Sequence, residues 1–383
     1  MNVYLDNAAT TAIDSEVFEA MKPYLLENFG NPSSTHSHGR KVRSAIEYAR
    51  KTVAELLHAS PSEIFFTSGG TEADNTLICS SIDTYDLKHA ISSKIEHHAV
   101  LHTLENLEKQ GKIKLSFVNL DDNGNVDFDH LEELLKTNSR SLVSLMHANN
   151  EIGNLIDLDR LGELCASYDA IVHSDTVQTM GHYKHDLSKL KLHCITGAGH
   201  KFHGPKGAGF MYIDRNTKIA PFIHGGAQER NMRGGTENVY GIIGTAKALE
   251  IAYRDMEEHQ VYIQGLKDRM ISKLKNTIEG VGFNGESENK DKSLYTVLNV
   301  CLPPSPDNDM LLFTLDINGI SASGGSACSS GASKGSHVLS GINSDPTRGA
   351  VRFSFSKYNT PEEIDYAAEK VAEFYSELAV KNL

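Results

Sequence analysis

The sequence predicts an α/β fold. A large unit on a mostly parallel sheet flanked by helices comes first, and a smaller C-terminal α/β unit follows. Two observations carry this expectation. Short apolar runs alternate with helical patterns over the first two-thirds of the chain, and the texture changes after about residue 245. Runs that are apolar on both faces suit strands buried between two helix layers.

The elements follow in order. "RKVRSAIEYARKTVAELLHA" (40–59) places Val42, Ile46, Ala49, Val53 and Leu57 on one helical face. "IFFTS" (64–68) reads as a strand, Gly69-Gly70 as a turn and "TEADNTLICSSI" as a helix. Further strands are expected at 89–93, 113–120, 141–147, 170–175, 192–196 and 209–213. Helices such as "DFDHLEELLK" and "DRLGELCASY" lie between several of them. Beyond residue 238 the pattern predicts one long helical stretch (239–278), the run "SLYTVLNVCLP", a helix "DMLLFTLDI" and a Gly/Ser-rich loop (323–336). The closing helix has a visible start, with Thr360 as N-cap, Pro361 in the first turn and Glu363 completing a capping box.

Composition limits the possible functions. The 383 residues carry 37 Lys and Arg against 50 Asp and Glu, a net charge of −13. That balance argues against nucleic acid as a general partner, because a phosphate backbone demands a basic face. No apolar run approaches a membrane span. "MNVYLDNAATT" has neither the basic nor the apolar region of a signal peptide, so a cytoplasmic location is expected. Five scattered cysteines (Cys79, Cys165, Cys194, Cys301, Cys328) fit reduced thiols rather than a disulfide framework. No paired Cys-x-x-Cys accompanies His337, so no metal site is expected.

Three stretches carry chemistry. "TSGGTEADN" (67–75) sets two glycines and a threonine between strand and helix, where backbone amides and the helix dipole can cradle a phosphate. Glycines also simply make such turns, and the stretch is neither a Walker loop nor a G-x-G-x-x-G fingerprint. Asp175 ends a strand, where open α/β sheets bind ligands, although a helix cap is an equally common use. "GAGHKFHGPKGAGF" (197–210) sets Lys201 beside His200 among glycines. A lysine in low dielectric loses its proton readily and becomes a nucleophilic amine. Phosphate cup, strand-end carboxylate and amine together are what pyridoxal 5'-phosphate requires.

The chain resembles the cysteine desulfurases, pyridoxal-phosphate enzymes of the class V aminotransferase group with the fold-type I architecture. The likeness runs through "YLDNAATT", "GNPSSTHSHGR", "FTSGGTEADN", "SKIEHHAV", "MHANNEIG", "HSDTVQTMGH", "GHKFHGPKGAGF", "RGGTEN", "SGGSACSSG" and "VRFSF", in that order. It implies a large cofactor-binding domain over 13–245. Residues 1–12 and 246–383 would form a small domain bearing the catalytic cysteine loop.

By the same resemblance, Lys201 condenses with the cofactor aldehyde and Asp175 pairs with the ring nitrogen. His97 stacks on the ring and takes part in proton transfer. Gln178 bonds the phenolic oxygen, with Asn150 near that oxygen and the substrate. Gly70, Thr71 and His200 hold the phosphate, and Arg352 clamps the substrate carboxylate, a bidentate geometry that lysine cannot reproduce. Thr236 reaches the phosphate of a neighbouring subunit, which implies a homodimer. The sequence departs from the pattern at Ala198, where a phosphate-binding serine is usual; Thr196 or a water is the expected substitute.

Cys328 lies in "SGGSACSSGASKGSH", expected as an exposed mobile loop, whereas the other cysteines sit in apolar-periodic segments and are expected in the core. The family uses this cysteine to take sulfur from L-cysteine. The "SAC-SSG" form resembles the branch that feeds iron–sulfur scaffold proteins. Two other readings stand beside it. A selenocysteine lyase would share nearly every site residue and differ in relative turnover of the two amino acids. A non-catalytic sulfur-transfer scaffold would purify without the cofactor's yellow colour.

Overall fold

A computed structural model describes residues 1–138, 140–324 and 335–381, with side chains to residue 375. Its first two-thirds contain β1 (Val3–Tyr4), α1 (Ser15–Leu26), α2 (Ser37–Leu56), β2 (Ile64–Thr67), α3 (Gly70–Tyr85), β3 (His89–Ser92), α4 (His98–Lys109) and β4 (Lys114–Phe117). They continue with α5 (Phe128–Thr137), β5 (Leu142–Ser144), α6 (Leu158–Ala166), β6 (Ile171–Asp175), β7 (Cys194–Ala198) and β8 (Gly209–Ile213). The remainder holds α7 (Val239–Arg254), α8 (Met256–Thr277), β9 (Gly282–Phe283), β10 (Val297–Pro304) and α9 (Leu311–Ile317). Last come β11 (Ile320–Ser321), α10 (His337–Gly341), β12 (Arg348–Ser354) and α11 (Pro361–Lys381).

Seven strands form the main sheet in the order β2-β8-β7-β6-β5-β3-β4. Only β8 runs antiparallel to its neighbours. The link from β7 to β8 spans residues 199–208. That is too short for the crossover a parallel pair needs, so the chain must double back. Helices cover the sheet, and one large core joins Ile46 and Val53 of α2, Val143, Val172, Ile195 and Phe210 of the strands, and Leu249 of α7.

A second core joins Val3 and Leu5 to α8, β10, β12 and α11 through Met270, Leu298, Val351, Phe353 and Val371. β1 pairs in parallel with β11, so the N-terminal residues pack here rather than on the main sheet. The capping box of α11 is present: Glu363 N–H donates to Thr360 Oγ1 (3.3 Å) and Thr360 N–H to Glu363 Oε2 (3.0 Å).

The structure corrects one element. The long helix expected over 239–278 breaks at Asp255, whose ψ of 13° leaves the helical range. Its carboxylate is held by Arg254 at 2.8 Å, and α8 starts afresh in a new direction. Among the described residues, no helix is long and apolar enough to cross a membrane.

Candidate active site

The parallel strands deliver their side chains to one edge. β2 ends into Gly69-Gly70, β3 into the turn bearing His97, β5 into the segment bearing Asn150, β6 at Asp175, and β7 into His200 and Lys201. This is the carboxyl end of the strands, where open α/β sheets bind ligands.

Lys201 Nζ donates to the backbone oxygens of Ala8 and Ala9, the latter at 2.9 Å. Gln178 Nε2 donates to the same Ala8 oxygen at 3.1 Å, so amine and amide converge on one carbonyl. His200 Nδ1 lies 3.2 Å from Thr10 Oγ1, and Thr11 binds the His200 oxygen through both its N–H and its hydroxyl. The N-terminal segment 7–11 therefore forms one wall of the site. Sequence reasoning gave these residues no role, because contacts through carbonyl oxygens leave no residue-type signature.

Asp175 is buried, and its Oδ1 accepts the Val177 N–H at 2.8 Å. Burial, then the neighbouring Asp74, push its carboxyl up to about 7, opposed by Val177 N–H, His173 and Lys201. Asp74 on α3 is likewise pushed up to about 7 by burial, with His173 Nε2 3.3 Å from its Oδ1. Glu96 is raised for the same reason. The three buried carboxyls lie near enough to raise one another toward the neutral form, and a cation beside Asp175 would draw it back to the carboxylate.

His97 caps α4, its Nδ1 accepting the Ala99 N–H at 3.1 Å, which places the ring proton on Nε2. Burial and then the charge of Lys201 hold its pKa down at about 4, so the imidazole is neutral at pH 7. Thr71 is exposed at the start of α3, in an open groove of about 750 Å³ that His97 also lines. Gly69 precedes that helix at φ +149°, with no side chain capping the free N–H groups. A Cβ on Gly70 would stand 2.9 Å from Val177 Cγ2, so only glycine keeps this cradle open.

Arg352 on β12 donates from Nη1 to Asn150 O and from Nη2 to Asp6 Oδ1, both at 2.8 Å. Its Nε and Asn150 Oδ1 are buried without partners among the described residues. Thr236 stands apart, exposed beside a small cavity lined by Phe66, Ser68, Glu229 and Arg233. Cys328 lies outside the described residues. Of the other cysteines, Cys165 and Cys194 are buried as expected, but Cys79 and Cys301 are half-exposed. Cys79 lines the groove beside α4, and Cys301 Sγ accepts a hydrogen bond from Arg348 Nε at 2.9 Å, so neither is a plain core residue.

The substitute expected for the missing serine is not Thr196. Its hydroxyl lies 3.3 Å from His173 Nε2, and its methyl is the atom toward the cradle, 3.7 Å from a Cβ built on Gly70. Ala198 Cβ also faces the cradle, 3.8 Å from a Cβ built on Gly70.

Comparison with known proteins defines the class. The aminotransferase class-V family matches residues 3–367, and the chain belongs to it. Cysteine desulfurase IscS of Dictyoglomus turgidum is 43% identical over 372 residues, covering 96% of this chain and 93% of its own. A NifS-like protein of known structure superposes with a TM-score of 0.90 at 37% identity, covering 99% of this chain and all of its own. The structure described as SspA in complex with cysteine gives a TM-score of 0.81 at 29% identity, covering 94% and 100%. Within the class-V family, the chain falls among the cysteine desulfurases.

The family implies pyridoxal phosphate, and the residues present fit it. A cationic ring nitrogen answers the charge demand at Asp175. The uncapped end of α3 suits a phosphate, and Lys201 supplies the amine.

Proposed function

We propose that this chain binds pyridoxal phosphate, converts L-cysteine to L-alanine and passes the sulfur to Cys328 as a persulfide. The observation that carries the reading is the placement of the Lys201 amine and the buried Asp175 carboxyl at adjacent strand ends, close enough for the Lys201 charge to act on Asp175. When bound, the cofactor serves as an electron sink for the substrate's Cα.

The chain's own residues do the rest. Lys201 would supply the amine for the cofactor aldehyde, and its Nζ, when free, would accept the Cα proton. Asp175 would hold the ring nitrogen in its protonated form. Neutral His97 would lie against the ring and share in proton transfer, and Gln178 and Asn150 would bind near the phenolic oxygen. Gly70, Thr71 and His200 would hold the phosphate. Arg352 receives the substrate carboxylate, using the N–H groups not committed to Asp6 and Asn150. Cys328 thiolate attacks the substrate sulfur. The new S–S bond forms as the Cβ–S bond breaks, and the released electron pair stays with the carbon skeleton, which takes up protons and leaves as alanine.

Thr236 completes the phosphate site of a second copy. That copy is expected to cover the exposed Phe18, Phe29 and Tyr48. A cytoplasmic location and delivery of sulfur to an iron–sulfur scaffold or another acceptor protein are part of the same reading.

Cys328→Ser is the test. The variant is expected to keep the yellow colour and the absorbance change on adding cysteine. Its sulfide release with dithiothreitol should fall by orders of magnitude, because a serine hydroxyl is almost wholly protonated at neutral pH. Near-normal sulfide release from this variant would refute the persulfide step.

A further inference from the structure

The chain on either side of the stretch bearing Cys328 is tied to the walls of the site at three points. Before it, Ser323 and Arg352 exchange two backbone hydrogen bonds, 2.7 and 3.2 Å long. After it, Ser336 Oγ donates to Glu151 Oε2 at 2.5 Å, and His337 Nε2 lies 2.9 Å from Glu96 O. Each tie falls on a candidate site residue or one position from it: Arg352 itself, Glu151 beside Asn150, and Glu96 beside His97.

The second foot is built from unusual parts. Glu151 is fully buried, its carboxyl raised by burial and drawn back by Ser336, His337 and Arg352. Its Oε1 has no hydrogen-bond partner among the described residues, and its Oε2 accepts from the Ser336 hydroxyl. That hydroxyl also accepts the Leu339 N–H (3.1 Å) as the cap of α10. The His337 ring packs 4.4 Å from that of His98 on α4. A buried carboxyl with one unbonded oxygen among the described residues is costly as a plain structural element.

We propose that Glu151, Ser336 and His337 are positioning residues for sulfur transfer, fixing where the Cys328 stretch leaves the cofactor site. The proposal rests on the reading that Cys328 accepts the sulfur. Cys328 is five residues from Ser323 and eight from Ser336. At roughly 3.5 Å per residue, the two tethers reach no more than about 18 and 28 Å. Fixed feet set the effective concentration and approach direction of the thiol at the substrate, and a loosened foot dilutes both. Loosening Ser336 need not unfold the region. Val338, two residues on, stays buried against Ile95, Ile152 and Ile342.

The test is Ser336→Ala in the cofactor-loaded enzyme. The kcat for alanine formation is expected to drop about ten-fold, the scale of one strong buried hydrogen bond. The rate of persulfide formation on Cys328, followed by mass spectrometry, should drop equally. KM for cysteine and the absorbance change on binding it should stay at wild-type values, while the melting temperature falls modestly with the loss of the α10 cap. Ser336→Thr, which keeps the hydroxyl, should restore the rate. An unchanged persulfide rate in Ser336→Ala overturns the proposal. So does a loss of kcat that threonine does not rescue, or one accompanied by a matching rise in KM. Wild-type enzyme measured alongside separates the two levels: no persulfide on its Cys328 defeats the underlying reading and this proposal with it.

Discussion

The two sides of the site are built in different ways. On the sheet side, five strand ends set their residues by ladder register, and Asp175 and Lys201 inherit the rigidity of fully buried β6 and β7. On the opposite side, only Arg352 stands on a paired strand. The feet of the Cys328 stretch depend on one backbone bridge, one serine hydroxyl and a helix of five residues. On the proposed function, the chemistry that would need a fixed angle to a ring falls on the sheet. The group that would meet both the substrate and an outside acceptor lies, on the same reading, in the chain between these feet.

The sharpest way to break this contrast is at Lys201. Lys201→Ala should abolish the lysine–cofactor bond that borohydride traps and cut turnover by orders of magnitude, while Cys328 remains alkylatable. Lys206, the nearest other lysine, is exposed beyond Pro205. Label found on Lys206 in the wild-type protein would undo the assignment.

A smaller effect is expected at the cradle. Ala198→Ser places a hydroxyl on the Cβ that already faces Gly70, and should tighten cofactor binding by ~1.5–3 kcal/mol. Titration of the cofactor-free protein measures this directly. Equal affinity in the two forms would mean that the phosphate is already fully bonded.

A separate effect concerns stability and pH. Without cofactor, the folded-state pKa of Asp175 is about 7, above its ordinary value. Its burial therefore costs nothing below about pH 4, and the cost grows as pH rises toward 7. Cofactor-free Asp175→Asn should gain stability over wild type at pH 7–8 and none at pH 4, read from denaturant midpoints. A pH-independent difference would show that the carboxylate is not strained.

Much of the sheet side was legible in the sequence. Its strands are short apolar runs, and Asp175 and the Gly-Gly turn sit at their ends, so position made them candidates beside the plainer readings of a cap and a turn. Less visible was whatever depends on backbone or on a partner far along the chain. The carbonyls of Ala8 and Ala9 are supplied by alanines. Asp74 looks like any polar residue of an amphipathic helix until its 3.3 Å approach to His173 is seen. Glu151 and Ser336 lie 185 residues apart, beyond any local pattern. The break at Asp255 is invisible because both flanking helices continue the apolar period.

The cluster of Asp74, Glu96 and Asp175 also bears on the protein's life in the cell. A ligand that binds only the folded form adds its binding free energy to the folding equilibrium. Pyridoxal phosphate, bound as proposed, would also bring a positive charge beside the buried Asp175. Chains made while the vitamin-derived cofactor is scarce should open more often and be cleared by proteases first. Enzyme abundance would then follow cofactor supply without any dedicated regulator.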